Sequence, residues 1–588
     1  MRLGALLSGG KDSILATCHA AVMNHSIECV LHLETSDEVD SFLIQSVGSK
    51  YVKTIAQAMD VPYIGIPTKG IATQKELYIE EIDINDETHD LFTLIQNAKQ
   101  KFKLDGIISG AIESDYQRLR IEFICQKLNL SSFAPLWKSN PAVLFNELEI
   151  VDSMIVKVAS LGLNQSHIGK DVVDIKEELM GLFDKYKIHP LGEGGEFETF
   201  TTYAPLYKKE LKLKFTVQND KQSSIAIISD AQFADISTPR SLDLLKSTRD
   251  FDLNTNEYTV PVLAPHNATI LPTDFESTFS EFSNYFTLSN FFIFHKSDFD
   301  IDAQEGLKQL IALLKQRNIA PSDFLIVHVY IGDMSLFGKF NALYGKLFTI
   351  KPPARACVQA SLPKNVLAKI DVIIAKPHYK RKVMHVASIS HKYPANIGPY
   401  SQCQQPLVEN GVSFIAGQVG FVPIKLAYPC AKDVKDATIK QNRYSSTHVK
   451  SITAETGIVP VTGVCFVRDS KYSKEIIQTF VDKFPNVPGF TVQVDRLPKD
   501  GEVEWLCMGM AKELKYTRTE KNKVVVFENE KAKIVVGNGD YNGYLNKNKM
   551  QSVFVKNLKW GSPSGAFIVP VNEITMDKTY DFAIIEIQ

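Results

Sequence analysis

The chain has 588 residues, 44% of them hydrophobic and 22% charged, with 65 Lys and Arg against 67 Asp and Glu. At about 150 residues per domain, that length gives three or four domains, each large enough for a core of its own. The net charge of −2 excludes the basic footprint of a dedicated nucleic-acid coat, and no apolar run approaches the ~18 residues a membrane helix needs. The apolar start Leu3–Leu7 is interrupted by Lys11 and Asp12, too early for a secretory signal. The eight cysteines are scattered without a Cys-x-x-Cys pair, which points to reduced thiols in a cytoplasmic protein rather than to a zinc site or a disulfide framework.

Strand-like and helix-like segments alternate through the first 237 residues. Leu3–Leu7, Glu28–Leu33, Tyr63–Ile66 and Gly106–Ser109 read as strands; Asp12–Met23, Lys50–Met59, His89–Lys101 and Tyr116–Leu128 read as helices. This alternation predicts a doubly wound parallel sheet, which binds ligands beyond the C-terminal ends of its strands. The polar stretch 238–259 reads as a linker. Beyond it two similar segments follow, predicting domains over 260–380 and 386–588. The first has a helix at Gln304–Arg317, a strand at Leu325–Ile331 closed by Asp333, then Leu362-Pro363-Lys364 entering another strand. The second has a helix near Asn442–Thr456, a strand at Val461–Val467 closed by Asp469, then Leu497-Pro498-Lys499. The matching signals lie 135 and 136 residues apart, the mark of a tandem duplication of one α+β domain.

The loop Ser8-Gly9-Gly10-Lys11-Asp12-Ser13 joins the first strand to the first helix. Two glycines let the backbone approach an anion closely, and the helix start aims N–H groups and a positive dipole end at it. Ser8 and Ser13 add hydroxyls and Lys11 a cation. Asp12 replaces the Ser or Thr of a Walker A loop, so this is a different phosphate loop. Beside phosphates a carboxylate needs a reason: Asp12 either holds Mg²⁺ or caps the helix. The loop resembles the pyrophosphate loop of the N-type ATP pyrophosphatases, in which attack at the α-phosphorus gives an adenylate.

Three further segments narrow the resemblance. Ser109-Gly110-Ala111-Ile112-Glu113-Ser114-Asp115-Tyr116-Gln117-Arg118 follows a strand and enters a helix. Ala134-Pro135-Leu136-Trp137 comes next, and Gly192-Glu193-Gly194-Gly195-Glu196-Phe197-Glu198-Thr199 follows His189-Pro190. Together with the first loop they resemble the diphthine–ammonia ligase family over nearly the whole chain, in its long form with two Rid-like domains. From the residues alone, Glu193, Glu196 and Glu198 form either a solvated acidic turn or a pocket for a cation. Phe197 offers a cation–π face for a trimethylammonium, with Tyr203 a weaker candidate. Arg118, with Tyr116 beside it, is the natural bidentate partner for a phosphate or carboxylate, unless it is an ordinary helix charge. His32 lies where a nucleotide passes, and reads better as a structural histidine.

The resemblance implies an N-terminal HUP-like fold followed by two Rid-like, chorismate-mutase-like domains. It implies ATP-dependent amidation of diphthine on translation elongation factor 2 by free ammonia through an acyl-adenylate, with Mg²⁺. Ser8, Gly9, Gly10, Lys11, Asp12, Ser13, Ser109 and Gly110 would hold the nucleotide. Lys11, Asp12, Glu196 and Glu198 would serve the chemistry, and Tyr116, Arg118, Glu193, Gly194, Gly195, Glu196, Phe197, Glu198 and Thr199 the substrate. No stable nucleic-acid or membrane binding is expected.

In the second repeat, Tyr393-Pro394-Ala395-Asn396-Ile397-Gly398-Pro399-Tyr400-Ser401 and Ala416-Gly417-Gln418 resemble the Rid enamine/imine deaminases. In the first repeat, Pro352-Pro353-Ala354-Arg355 resembles their carboxylate-binding segment. Phe490 stands where the second repeat would carry its arginine, so neither repeat has a full set. The pair then serves as a scaffold or regulatory module, or Arg355 of one repeat faces Tyr400 of the other across a composite pocket for a small carboxylate. Rid domains commonly trimerise, which makes self-association possible, and a tandem pair could substitute for two subunits. The competing readings are a tRNA-modifying ATP pyrophosphatase, which predicts a basic RNA surface, and a Rid-type hydrolase or metabolite-binding protein with a degenerate nucleotide domain.

Overall fold

The computed structural model describes the chain except residues 36–42, 44, 46, 69–70, 160–161, 220–222, 250–276, 283, 349, 364, 378, 410, 512–516, 522–523, 529–531, 538–549, 557–565, 572, 577–578, 581 and 588. It divides into two units. The first is Met1–Leu253 with Ala387–Ala395 and Pro423–Lys425; the second is Asn254–Val386 with Asn396–Val422 and Leu426–Gln588.

The first unit opens with β1 (Arg2–Leu6), α1 (Lys11–Val22), β2 (Ser26–Glu34), α2 (Val52–Met59), β3 (Tyr63–Pro67), α3 (Glu87–Phe102), β4 (Gly106–Ile108), α4 (Asp115–Lys127) and β5 (Ser131–Phe133). The helices start where short polar side chains take up free amides. Asp86 accepts from Thr88 N–H to open α3, and Ser114 accepts from Gln117 N–H to open α4. The strands pair in parallel in the order β5-β4-β1-β2-β3. One core joins Leu31, Leu33 and Ile107 of the sheet to Leu91, Leu94 and Ile95 of α3 and Ile121 and Ile124 of α4. The strand order reverses between β1 and β4, and such a switch point opens a crevice at the strand ends. Both sequence-predicted loops, 8–13 and 109–118, leave the sheet there.

α5 (Pro141–Leu148) and β6 (Asp152–Val158) lead on to α6 (Lys176–Tyr186), β7 (Phe197–Tyr203), β8 (Glu210–Asn219) and β9 (Ser224–Ala234). The four strands form a separate sheet, β7-β6-β9-β8, antiparallel throughout.

Two expectations about boundaries change. The stretch read as a linker carries a short helix, α7 (Asp243–Thr248), with Leu245 buried; Arg249 just after it grips the buried Glu147 through two nitrogens at 2.5 and 2.9 Å. The remainder of that linker, 250–259, lies outside the described residues, as does Lys364. The start of the predicted 386–588 domain also belongs elsewhere. Ser388–Ile389 pairs in parallel with β5, and Glu122 on α4 accepts from Ala387 N–H at 3.1 Å and Ser388 N–H at 2.7 Å. The edge of the sheet offers unpaired backbone groups, and this returning segment satisfies them.

In the second unit the duplication is visible as topology. In the first repeat the strands run Tyr285–Phe294, Val366–Ala375, Phe324–Ile331, Ala354–Gln359 across the sheet; in the second they run Ser413–Val419, Val503–Met510, Val459–Val467, Gly489–Gln493. In each, the middle pair is antiparallel and the last pair parallel. Helices Phe299–Lys315 and Val434–Thr456 take matching places, and Asp333 and Asp469 both cap the short turn after the third strand of that order. The sequence reading missed a third copy of this strand order. Ala532–Gly537, Phe582–Ile587, Met550–Lys556 and Ala566–Val571 repeat it, with the same antiparallel and parallel pairs. One apolar core draws on all three sheets, with Ile326 and Tyr330 of the first, Phe414 and Phe490 of the second, and Ile534 and Ile585 of the third. Three sheets of one chain close this core, so sedimentation is expected to give the single-chain mass of 65.8 kDa; a trimer would mean that the three-sheet core leaves a further apolar face to be covered.

Candidate active site and a composite pocket

At the switch point three stretches of chain meet around the start of α1. Gly9 has φ of +93°, a conformation that glycine adopts without strain. Its carbonyl accepts from Thr201 N–H on β7 at 2.8 Å, and Thr199 Oγ1 accepts from Lys11 N–H at 3.1 Å. Gln45 holds Thr199 in turn, its amide donating to the Thr199 carbonyl at 2.8 Å. The second loop comes closer still. A methyl added at Gly110 would lie 2.5 Å from the Ser13 nitrogen, so only glycine lets the two loops touch. Ser109 beside it is 4% exposed, and its Oγ has no hydrogen-bond partner among the described residues. A buried hydroxyl left unpaired at the head of a helix fits an anion bound there.

The charged residues divide by what already holds them. Lys11 Nζ donates to Asp12 Oδ2 at 2.8 Å and to the Leu191 carbonyl at 2.6 Å, and lies 5.3 Å from the centre of the Phe197 ring. The ring expected to face a substrate cation thus faces a cation of the chain. Glu196 braces its own loop, accepting from His189 N–H at 2.6 Å and Gly194 N–H at 2.7 Å. Glu198 pairs with Lys157 at 2.7 Å. Glu193 accepts from Glu113 N–H through Oε2 at 2.9 Å, while its Oε1 makes no hydrogen bond to the described residues. Burial, then the charge of Asp12, raises the Glu193 carboxyl to about 7. Of the three glutamates, Glu193 is the one left to meet a ligand.

Arg118 is placed differently from the expectation. Its guanidinium is 4.1 Å from the Trp137 ring, 2.6 Å from Glu122 and 3.2 Å from Asp115, and the residue is 3% exposed. It ties α4 together instead of offering a fork to a phosphate. Tyr116 donates to the Gln74 carbonyl, and Arg120 behind it holds the carbonyls of Gln74, Glu76 and Leu77. His32 bridges the Leu7 carbonyl and Ser49 Oγ, and burial lowers its pKa, which fits the structural role. Tyr203 is covered by Arg240 of the chain. Among the described residues no group of three or more His, Cys, Asp and Glu is arranged to hold a metal ion. Asp12, a quarter exposed beside the phosphate loop, fits the thinner Mg²⁺ shell of one or two carboxylates completed by substrate phosphates.

In the second unit Arg355 and Tyr400 line one pocket, with Phe337, Cys357, Ile397 and Glu504 in its wall. The Arg355 guanidinium lies 5.9 Å from the Tyr400 ring and 5.1 Å from Tyr344. Arg355 is 3% exposed, and its Nη1 has no hydrogen-bond partner among the described residues. Glu504 faces it. A methyl on Gly417 would overlap that carboxyl at 1.7 Å, and burial raises the group to about 8 against the pull of Arg355. Sequence reasoning missed Glu504, although an acid between Val503 and Trp505 in an otherwise apolar strand is a legible signal.

If the two loops share a nucleotide's phosphates, substituting Gly110 by Ala is expected to raise the KM for ATP at least ~10-fold, because backbone atoms of α1 have to shift to make room. Initial rates over a range of ATP concentrations measure it; an unchanged KM would show that the two loops do not share a ligand.

Comparisons with known proteins follow the same division. Residues 1–132 match the diphthamide synthase N-terminal domain, residues 140–231 the diphthamide synthase C-terminal domain, and residues 290–376 endoribonuclease L-PSP. The diphthine–ammonia ligase of Schizosaccharomyces pombe is 28% identical, over 86% of this chain and 87% of that protein. The Saccharomyces cerevisiae enzyme of the same name is 27% identical, over 82% and 77%. The human one is 36% identical over 42% of this chain and 92% of its own length. The chain, with its Ser8–Ser13 loop, its Ser109-Gly110 turn and its Glu193–Thr199 segment gathered at one crevice, belongs to the diphthine–ammonia ligase family.

Proposed function

We propose that the first unit catalyses the last step of diphthamide synthesis, the amidation of diphthine on translation elongation factor 2. The observation that carries this reading is the meeting of the Ser8–Ser13 loop, the Ser109-Gly110 turn and Glu193 at the switch point between β1 and β4. A carboxylate and ammonia do not condense unaided, because oxide is a poor leaving group. A diphthine carboxylate oxygen attacks the α-phosphorus of ATP, the bond to the β-phosphate breaks, and pyrophosphate departs. Ammonia then attacks the acyl carbon, the bond to AMP breaks, and the amide forms with loss of a proton.

The protein's part is positioning and charge. The loop and the start of α1 direct amides at the departing phosphates, with Lys11 and the buried Ser109 hydroxyl beside them. Asp12 would hold Mg²⁺ together with phosphate oxygens, and the ion would offset charge on the triphosphate. Glu193 receives the cationic end of the substrate, the trimethylammonium or the incoming ammonium. Arg118 and Glu196 act as positioning residues, through α4 and through the 189–196 loop. Free ammonium is the nitrogen source. No helix among the described residues is long and apolar enough to cross a membrane, and all eight cysteines are free thiols, which suits a cytoplasmic enzyme acting on a translation factor.

The test is AMP and pyrophosphate release with ATP, ammonium and diphthine-bearing elongation factor 2. Release should require all three and fall at least ~100-fold in Lys11→Ala. ATP turnover indifferent to the elongation factor would redirect the reading to another acceptor.

A second reading concerns the composite pocket. The unpartnered Arg355 Nη1 favours a site for a small carboxylate there. Below pH 8 the neutral Glu504 leaves Arg355 as the pocket's uncompensated charge. Above it Glu504 ionises and competes for Arg355, while Tyr400 and Cys357, both raised to about 12, stay neutral. Affinity for pyruvate is therefore expected to be flat below pH 8 and to fall toward about tenfold per pH unit above it. Calorimetric titrations across that range check this; a flat profile to pH 9 would contradict it.

A further inference from the structure

The nine residues Ala387–Ala395 leave the second unit and return to it at one point. Asn396 N–H donates to the Val386 carbonyl at 3.0 Å. Gln402 closes the same point, accepting from Val386 N–H at 2.7 Å and donating to the Val386 carbonyl at 2.9 Å. The excursion between these ends is the segment that joins the first unit as the strand beside β5.

Its attachment there is specific. Ala134 N–H donates to the Ile389 carbonyl at 2.9 Å, Ser388 Oγ and Ser132 Oγ lie 2.8 Å apart, and the Tyr393 ring lies 5.0 Å from Trp137. His391 Nε2 meets His19 Nδ1 at 3.0 Å. Glu122, which takes the amides of Ala387 and Ser388, is the carboxylate that grips Arg118, and Trp137 is the ring under the same guanidinium. The docked strand therefore bears on α4, the helix that follows directly from the Ser109-Gly110 turn. The ladder itself is two residues long, short even for an edge strand, and Ser388, Ser390 and Tyr393 are buried beside it.

The root of the excursion is also the wall of the pocket. Asn396 Nδ2 donates to the Gly398 carbonyl at 2.8 Å and to the Tyr400 carbonyl at 3.3 Å. Ile397 and Tyr400 line the cavity with Arg355. Chain continuity alone thus links the strand at Ile389 to the pocket at Ile397, eight residues on.

We propose that the excursion is a coupling device: a small carboxylic acid with a hydrogen-bond acceptor beside its carboxylate, seated between Arg355 and Glu504, steadies the root, favours the docked strand and tightens the ligase site. The two states are the strand docked on β5 and the strand released. The acid acts by its differential affinity for them, and by linkage the ligase substrate tightens the acid in return. The inference rests on the carboxylate reading of the pocket and on the ligase reading of the first unit.

The test uses the full chain with pyruvate, and with uncharged pyruvamide as control. Pyruvate should slow hydrogen exchange at Ser388 and Ile389 severalfold and lower the KM for diphthine-bearing elongation factor 2 severalfold. Pyruvamide should do neither, and Arg355→Ala should lose both responses. Ser388→Pro, which lacks the amide donated to Glu122, should bind pyruvate as the unaltered chain does while its KM no longer responds. Pyruvate binding that depends on Arg355 but leaves exchange and KM unchanged would overturn the coupling and leave the pocket reading standing. Absence of pyruvate binding would overturn the pocket reading and the coupling with it. Should ligase turnover itself fail, the exchange measurement still decides whether pocket and strand are coupled.

Discussion

The contact between Gly110 and the first turn of α1 is the constraint on which the rest of the ligase site depends. With 2.5 Å between a hypothetical methyl and the Ser13 nitrogen, two loops from strands β1 and β4 are pressed into one surface. β7, nearly 190 residues further along the chain, then docks against that surface through Thr199 and Thr201. A parallel sheet with a reversal of strand order creates the crevice; the glycines make it narrow enough for backbone amides to meet a phosphate. The buried Ser109 hydroxyl, without a hydrogen-bond partner among the described residues, fits a polar ligand at this surface.

Around that surface the charges are sorted by burial. Glu196, Glu198 and Arg118 are consumed by the chain's own amides, Lys157, Asp115, Glu122 and Trp137, and so hold the loops in place. Breaking a buried pair such as Arg118–Glu122 costs about 3–5 kcal/mol, since the surviving charge has nowhere to go. Lys11, Asp12 and Glu193 are left at the crevice, a cation and two carboxylates that the proposed reading assigns to phosphate, Mg²⁺ and a substrate cation. The second unit applies the same rule in reverse: Arg355 and Glu504 are buried together without a direct hydrogen bond among the described residues, which keeps the acid neutral and the arginine available.

The parallel sheet and its two loops were legible because each signal is local: apolar strands, capped helices and glycines at strand ends. Predicted elements such as Asp12–Met23 and Tyr116–Leu128 fall within a residue of α1 and α4. The repeat was legible through Asp333 and Asp469, whose shared capping role explains their constant spacing. What escaped depends on distant partners. The enclosure of Arg118 by Asp115 and Glu122 is written in helical spacing, but its stacking on Trp137 is not. The third sheet shares strand order with the first two without their Leu-Pro-Lys and Asp signals, so no periodicity announced it. His19, Glu147, Arg249 and His391 form a buried network that spans 372 residues of sequence, and only the fold brings it together.

The central claim is that diphthine is activated as an acyl-adenylate in the crevice between β1 and β4. The most direct measurement is oxygen transfer: elongation factor 2 carrying diphthine labelled with ¹⁸O in its carboxylate is amidated by the enzyme, and the nucleotide is analysed by mass spectrometry. Activation at the α-phosphorus predicts one labelled oxygen in AMP and none in pyrophosphate. Label in inorganic phosphate with release of ADP, or AMP free of label, would contradict the account.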